Sequence, residues 1–234
     1  MRNSETTMRN AADSHYPAQA DASIDWTDIQ AGVFVGLVFA VIKGASIAMP
    51  EWRLGNLDSL IPFLICVEYT IYRARHYPEK LDVWGLTMPI TTMAVVVGAA
   101  MAAAAIGGLA TLGFLLTGSL SFEFIYVPKM IEYLVSAFPQ QFFLCSVVLV
   151  SLSKIRVFHG QWRLPLVVGV LFALAHFWTP HHIPGTGIPL QLIGTFPLGF
   201  LAAWYFLTFR TILPLTVAHA VLYVLLHHWV LMHL

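Results

Sequence analysis

The apolar positions of this chain fall into long uninterrupted runs rather than alternating with polar ones. Residues 29–49, 54–72, 84–120, 130–153, 164–178, 189–209 and 211–232 are each predominantly apolar over a membrane-scale length. A helix needs about 20 such residues to cross the hydrocarbon of a bilayer, with roughly 17–25 tolerated. The run at 54–72 is the weakest, because its clean apolar part begins only near Leu60. The run at 84–120 is long enough for one tilted span with an interfacial lead-in. It carries VVVGAAMAAAAIGGLATLG, whose small side chains let neighbouring helices approach closely. Lys43 interrupts the first run and can snorkel toward its outer end. The pattern predicts an all-α, polytopic transmembrane helical bundle of about seven spans, with six or eight as the alternatives, over residues 29–234.

Residues 1–28 break this pattern: they are polar, mixed in charge and rich in Ala, Ser and Asp. Such a segment cannot bury enough apolar surface to order itself and is predicted to be a disordered tail. No basic stretch directly precedes a short apolar core with a small-residue cleavage site, so no removable signal peptide is predicted.

Composition agrees with the runs. The 234 residues are 58% hydrophobic and 10% charged, against roughly 25% charged in soluble domains, and the mean hydropathy is +0.75. The bilayer is therefore the first partner of the chain. The formal net charge is zero, and nothing suggests nucleic acid as a partner, which would need a clustered basic face. Cys66 and Cys145 both lie in apolar runs and make no disulfide framework.

Charge distribution sets an orientation, because short cytoplasmic loops collect Lys and Arg. With seven spans, one side holds Arg2, Arg9, Arg73, Arg75, Lys80, Lys154, Arg156, Arg163 and Arg210, and the other holds Arg53 and Lys129. This predicts a cytoplasmic N-terminus and an outer C-terminus, in what would be a bacterial inner membrane. Splitting the Ala/Gly-rich run into two spans would abolish the bias. Removing the weak second span leaves the last four helices oriented as before.

Four polar side chains then stand out inside apolar runs: Gln140, Gln141, His176 and His219. At about 1.5 Å of rise per residue the glutamines lie about 20 Å from Lys154, His176 about 20 Å from Arg163 and His219 about 14 Å from Arg210. Three helices thus present polar groups at comparable depth. Such groups serve either as interhelical hydrogen-bonding glue or as a functional site. Agreement in depth favours the site.

The residues around them resemble a known family. Phe172-Ala-Leu-Ala-His176 is similar to the FxxxH motif of the CPBP family, the CAAX-processing and bacteriocin-processing intramembrane proteases also called the Abi family. The stretch from Pro197 and Gly199 through Arg210, Leu213 and Pro214 to Ala218-His219 resembles the family's third motif and the helix-turn-helix before it. Pro139-Gln140-Gln141-Phe142-Phe143 stands where the family carries proline followed by EExxxR. The resemblance covers residues 84–230. It implies an intramembrane endopeptidase acting on a membrane-associated or lipid-modified peptide, with catalytic positions at His176, His219, Gln140 and Gln141. Phe172, Cys145 and Tyr223 would lie on the substrate side.

The chain also departs from the family pattern. Gln140 and Gln141 replace the paired glutamates, Cys145 the arginine, and Tyr223 the asparagine four residues after the last histidine. In the family a glutamate is taken to activate water, and an amide has no basicity for that task. From Tyr133 to Leu234 there is no Asp or Glu, which leaves Glu68 and Glu132 as the acids within apolar runs. Glu132 has Lys129 one turn back as an alternative partner, and Glu68 can snorkel toward Arg73 and Arg75. Cys145 lies four residues after Gln141 on the same helix face, either as a small hydrophobe or as a Cys-His nucleophile. No cofactor is assigned; His176 and His219 are the imidazoles that would hold a divalent metal, while His181 and His182 read as an outer loop. The alternatives are a catalytically inactive relative that binds or chaperones a membrane peptide, and a transporter. The transporter reading lacks an internal repeat.

Overall fold

The computed structural model describes residues 26–49, 57–87, 89–122, 126–158, 162–176 and 190–233. Residues 1–25 of the expected tail, and His181 and His182, expected in an outer loop, lie outside the described residues. Within them all regular structure is helical. The helices are α1 (Trp26–Ala48), α2 (Leu57–His76), α3 (Glu79–Val83), α4 (Thr92–Thr117), α5 (Tyr126–Gln141), α6 (Arg163–Leu174), α7 (Leu190–Phe209) and α8 (Leu213–Trp229). Helix α5 continues without a break through a π-helical stretch, Phe142–Leu149, and a last turn, Val150–Leu152. Three helical stretches are long and apolar enough to cross a membrane: Thr92–Thr117, Val127–Leu152 and Leu213–His233. Trp26–Ile42, Arg163–Leu174 and Gly194–Phe209 are apolar but shorter.

Helix α4 carries the surface best suited to an apolar medium. Only 6% of its most apolar window is buried inside the protein, and Leu115 is 75% exposed. A continuous apolar surface of that kind is tolerated where lipid covers it. The Ala/Gly-rich run is one helix, preceded by a non-helical lead-in. Thr91 caps it by accepting from the Ala94 amide at 3.1 Å, and Gly118 closes it with φ 71°. Its glycines divide into two groups. Gly98 meets the Tyr205 ring and Gly113 meets Trp229, whereas Gly107 and Gly108 have open space beside them.

The interior is built where α7, α8 and the π-helical stretch close over the loop after α3. Trp84, Phe142, Cys145, Leu149, Tyr205, Phe206 and Ile212 are fully buried there. Polar backbone inside this core is satisfied by side chains, as a water-poor interior requires. The Ser146 hydroxyl donates to the Trp84 carbonyl at 2.7 Å and the Tyr205 hydroxyl to the Ala94 carbonyl at 2.9 Å. The loop after Trp84 also touches the turn between α7 and α8, where the Ile212 amide donates to the Gly85 carbonyl. Gly85 has φ 70°, and a Cβ there would lie 2.6 Å from the Arg210 carbonyl oxygen, so only glycine fits.

At the start of α1, Trp26, Thr27 and Asp28 are helical rather than part of the tail. Asp28 is buried and its carboxylate joins three elements. It accepts from the Tyr69 hydroxyl at 2.5 Å and the Lys80 ammonium at 2.6 Å, with the Arg73 guanidinium at 3.2 Å.

Helices α6 and α7 pack at two glycines. A Cβ on Gly199 would stand 2.5 Å from Phe172 Cβ, and one on Gly169 would stand 3.0 Å from the Phe196 carbonyl oxygen. Gly199→Ala should therefore lower stability by about 1–3 kcal/mol through overpacking. Gly194→Ala, which points into open space on the same helix, should be neutral or slightly stabilising. Thermal unfolding of the detergent-solubilised variants checks the contrast.

Candidate functional site

The two histidines reach the interior by different routes. Helix α6 spans only Arg163–Leu174, so His176 stands in the turn just beyond its end rather than within a spanning helix. That turn is closed by the Ala175 amide on the Leu171 carbonyl and the His176 amide on the Ala173 carbonyl, both at 2.9 Å. The Phe172 carbonyl is one of the acceptors a helix end leaves over. The His176 ring supplies its donor, with Nδ1 2.7 Å away. A carbonyl oxygen only accepts, so Nδ1 carries the proton and Nε2 keeps its lone pair.

His219 sits in the second turn of α8, opposite α5. The Tyr133–Tyr223 ring pair, with centroids 4.4 Å apart, lies on the same seam, and the numbering of the partners shows that α5 and α8 run antiparallel. Pro139 within α5 cannot donate a backbone hydrogen bond, and the π-helical stretch opens three residues later. Gln141 stands at that junction. Its amide nitrogen is 2.8 Å from His219 Nδ1, and its amide oxygen is 3.6 Å from the Cys145 sulfur.

Phe172 connects the two histidines. Its ring centroid is 4.7 Å from that of His176 and 5.6 Å from that of His219. Beside the α5/α8 seam lies an open apolar cleft of about 270 Å³. Phe63 from α2, Leu134 and Phe138 from α5, and Leu213, Thr216 and Val217 from α8 line it. Phe138 is about one turn from Gln141 and Thr216 about one turn from His219, so the cleft borders the polar pair.

Of the residues singled out in the sequence, Gln141, Cys145, Phe172, His176 and His219 come together. Gln140 does not join them, because its amide bonds the Ser136 carbonyl at 3.3 Å and the Ser136 hydroxyl at 3.5 Å, one turn back on α5. Tyr223 packs on Tyr133. Glu132 pairs with Lys129 at 2.8 Å, and Glu68 is exposed. The sequence reading missed the apposition of Gly199 and Phe172. The available signal was a glycine two residues after Pro197 in the middle of an apolar helix.

A catalytic zinc takes three protein ligands. Among the described residues no group of three His, Cys, Asp or Glu is placed to hold a metal. Compared with protein-family models, curated proteins and solved structures, the chain matches none.

Loss of the Gln141 amide would leave His219 Nδ1 buried without a partner. Gln141→Leu should cost about 1–3 kcal/mol. Gln140→Leu, which removes bonds only to its own helix, should cost less. Side-by-side thermal unfolding of the two variants in lipid nanodiscs measures the difference.

Proposed function

We propose that the chain is an intramembrane peptidase of the CPBP type, a bundle of about seven helical spans in which His176 takes over the proton-accepting role of the absent glutamate. The observation that carries this reading is the histidine pair on either side of Phe172, with His176 Nδ1 bound to the Phe172 carbonyl and its Nε2 lone pair left over. The substrate is a membrane-associated or lipid-modified peptide, and the apolar cleft between α2, α5 and α8 provides a lateral approach from the bilayer.

In this mechanism a water gives a proton to His176 Nε2 while its oxygen bonds to the peptide carbonyl carbon. The carbonyl π pair moves onto the carbonyl oxygen, which His219 stabilises. Collapse of that intermediate breaks the C–N bond, and the departing amine nitrogen takes the proton back from His176. The imidazolium and the oxyanion form and vanish together, so the dry site never holds a net charge.

A second reading, a membrane-peptide binder that does not cut, draws on a different observation: among the described residues no carboxylate stands beside the pair. Fragment release from membrane-spanning and lipid-modified peptides in nanodiscs, followed by mass spectrometry, separates the two. Cleavage that falls by about 10²-fold or more in His176→Ala and stays unchanged in Glu68→Gln and Glu132→Gln supports the peptidase. Peptide association that persists in His176→Ala, with no fragment from any of these peptides, supports the binder.

The orientation proposed with this function has a cytoplasmic N-terminus, an outer C-terminus and a bacterial inner membrane as its setting. Val157 and Met232 are both exposed and lie at opposite ends of the last helices. Cysteines placed at these two positions should react with an impermeant thiol reagent from opposite sides of the membrane.

A further inference from the structure

An imidazole offers either a donor or a lone pair at Nε2, depending on which ring nitrogen carries its proton, and a partner at Nδ1 makes that choice. For His219 the partner is the amide nitrogen of Gln141, at 2.8 Å. An amide nitrogen donates and does not accept, so His219 Nδ1 accepts and the proton resides on Nε2.

The amide is held in this sense from its other end. Its oxygen faces the Cys145 sulfur at 3.6 Å, where the thiol donates. Turning the amide over would set its NH₂ against sulfur, a weak acceptor, and its oxygen against Nδ1. Cys145 is fully buried and Gln141 is 3% exposed, so bulk water does not compensate for a reversed amide.

We propose that Cys145 and Gln141 are positioning residues, a thiol-to-amide-to-imidazole relay that holds His219 in its Nε2–H form. His176 is fixed in the opposite form by the Phe172 carbonyl. The pair then presents one donor and one lone pair, both on neutral rings. That set matches a neutral group able both to accept and to donate, such as a peptide amide, and gives no charge attraction to a carboxylate or a phosphate. The substrate class rests on the peptidase reading above; the proton's location does not.

The test is ring-nitrogen NMR of ¹⁵N-histidine-labelled protein in lipid vesicles, with His219 assigned by the signals lost in His219→Gln. The expected spectrum has His219 bare at Nδ1 and protonated at Nε2. Gln141→Glu replaces the donor by a carboxylate that only accepts, and should place a proton on Nδ1. Cys145→Ser keeps a donor and should keep the original pattern, while Cys145→Ala should let a protonated Nδ1 signal emerge. A proton on Nδ1 in the unaltered protein overturns the relay. A Cys145→Ala spectrum identical to the unaltered one removes Cys145 from it. The predicted spectrum without any peptide cleavage leaves the relay standing and counts against the peptidase, whereas cleavage with the opposite tautomer counts against the relay alone.

Discussion

A carboxamide shut away from water must bond at both ends or weigh against folding, and the Gln141 amide bonds at both. Much of the site depends on that. One end ties α5 to the antiparallel α8, and the other stays within the π-helical turn that follows Pro139. Four residues apart, Gln141 and Cys145 share a helix face, and Cys145, Ser146 and Leu149 go into the core. Histidine, amide and thiol are thus neighbours at one contact between two helices.

The opposite wall of the site depends on the absence of side-chain atoms. Gly199 lets α7 come against Phe172 at a distance no other residue permits, and this presses the phenylalanine ring toward both imidazoles. Helix α6 ends at Leu174, two residues before His176. Its early end leaves the Phe172 carbonyl open to the His176 ring. A helix that ran further would commit that carbonyl to its own backbone and release the imidazole.

What the sequence disclosed follows from what hydropathy and spacing encode. The apolar runs placed α1, α5, α7 and α8 to within a few residues and α4 after a longer lead-in, since a long apolar segment in a membrane has little choice but helix. They overextended α6, because FALAHFW remains apolar past the point where the backbone turns. Depth matching picked out Gln141, His176 and His219 as co-planar, but it could not separate Gln141 from Gln140. Adjacent residues share a depth and differ by about 100° around the axis. That rotation sends Gln140 to Ser136 and Gln141 to His219. The role of Asp28 was invisible for another reason: its partners lie 41, 45 and 52 residues away, and local pattern carries no information about such pairings.

The long sequence separation within the Asp28 cluster has a consequence for biosynthesis. At about 5–20 residues per second, roughly 3–10 s pass between the synthesis of Asp28 and that of Lys80, its last partner. During that interval the leading end of α1 carries a carboxylate with no Lys80 to meet it, and the most hydrated position open to it is the membrane surface. The Asp28 cluster is therefore completed only once the turn after α2 has been made.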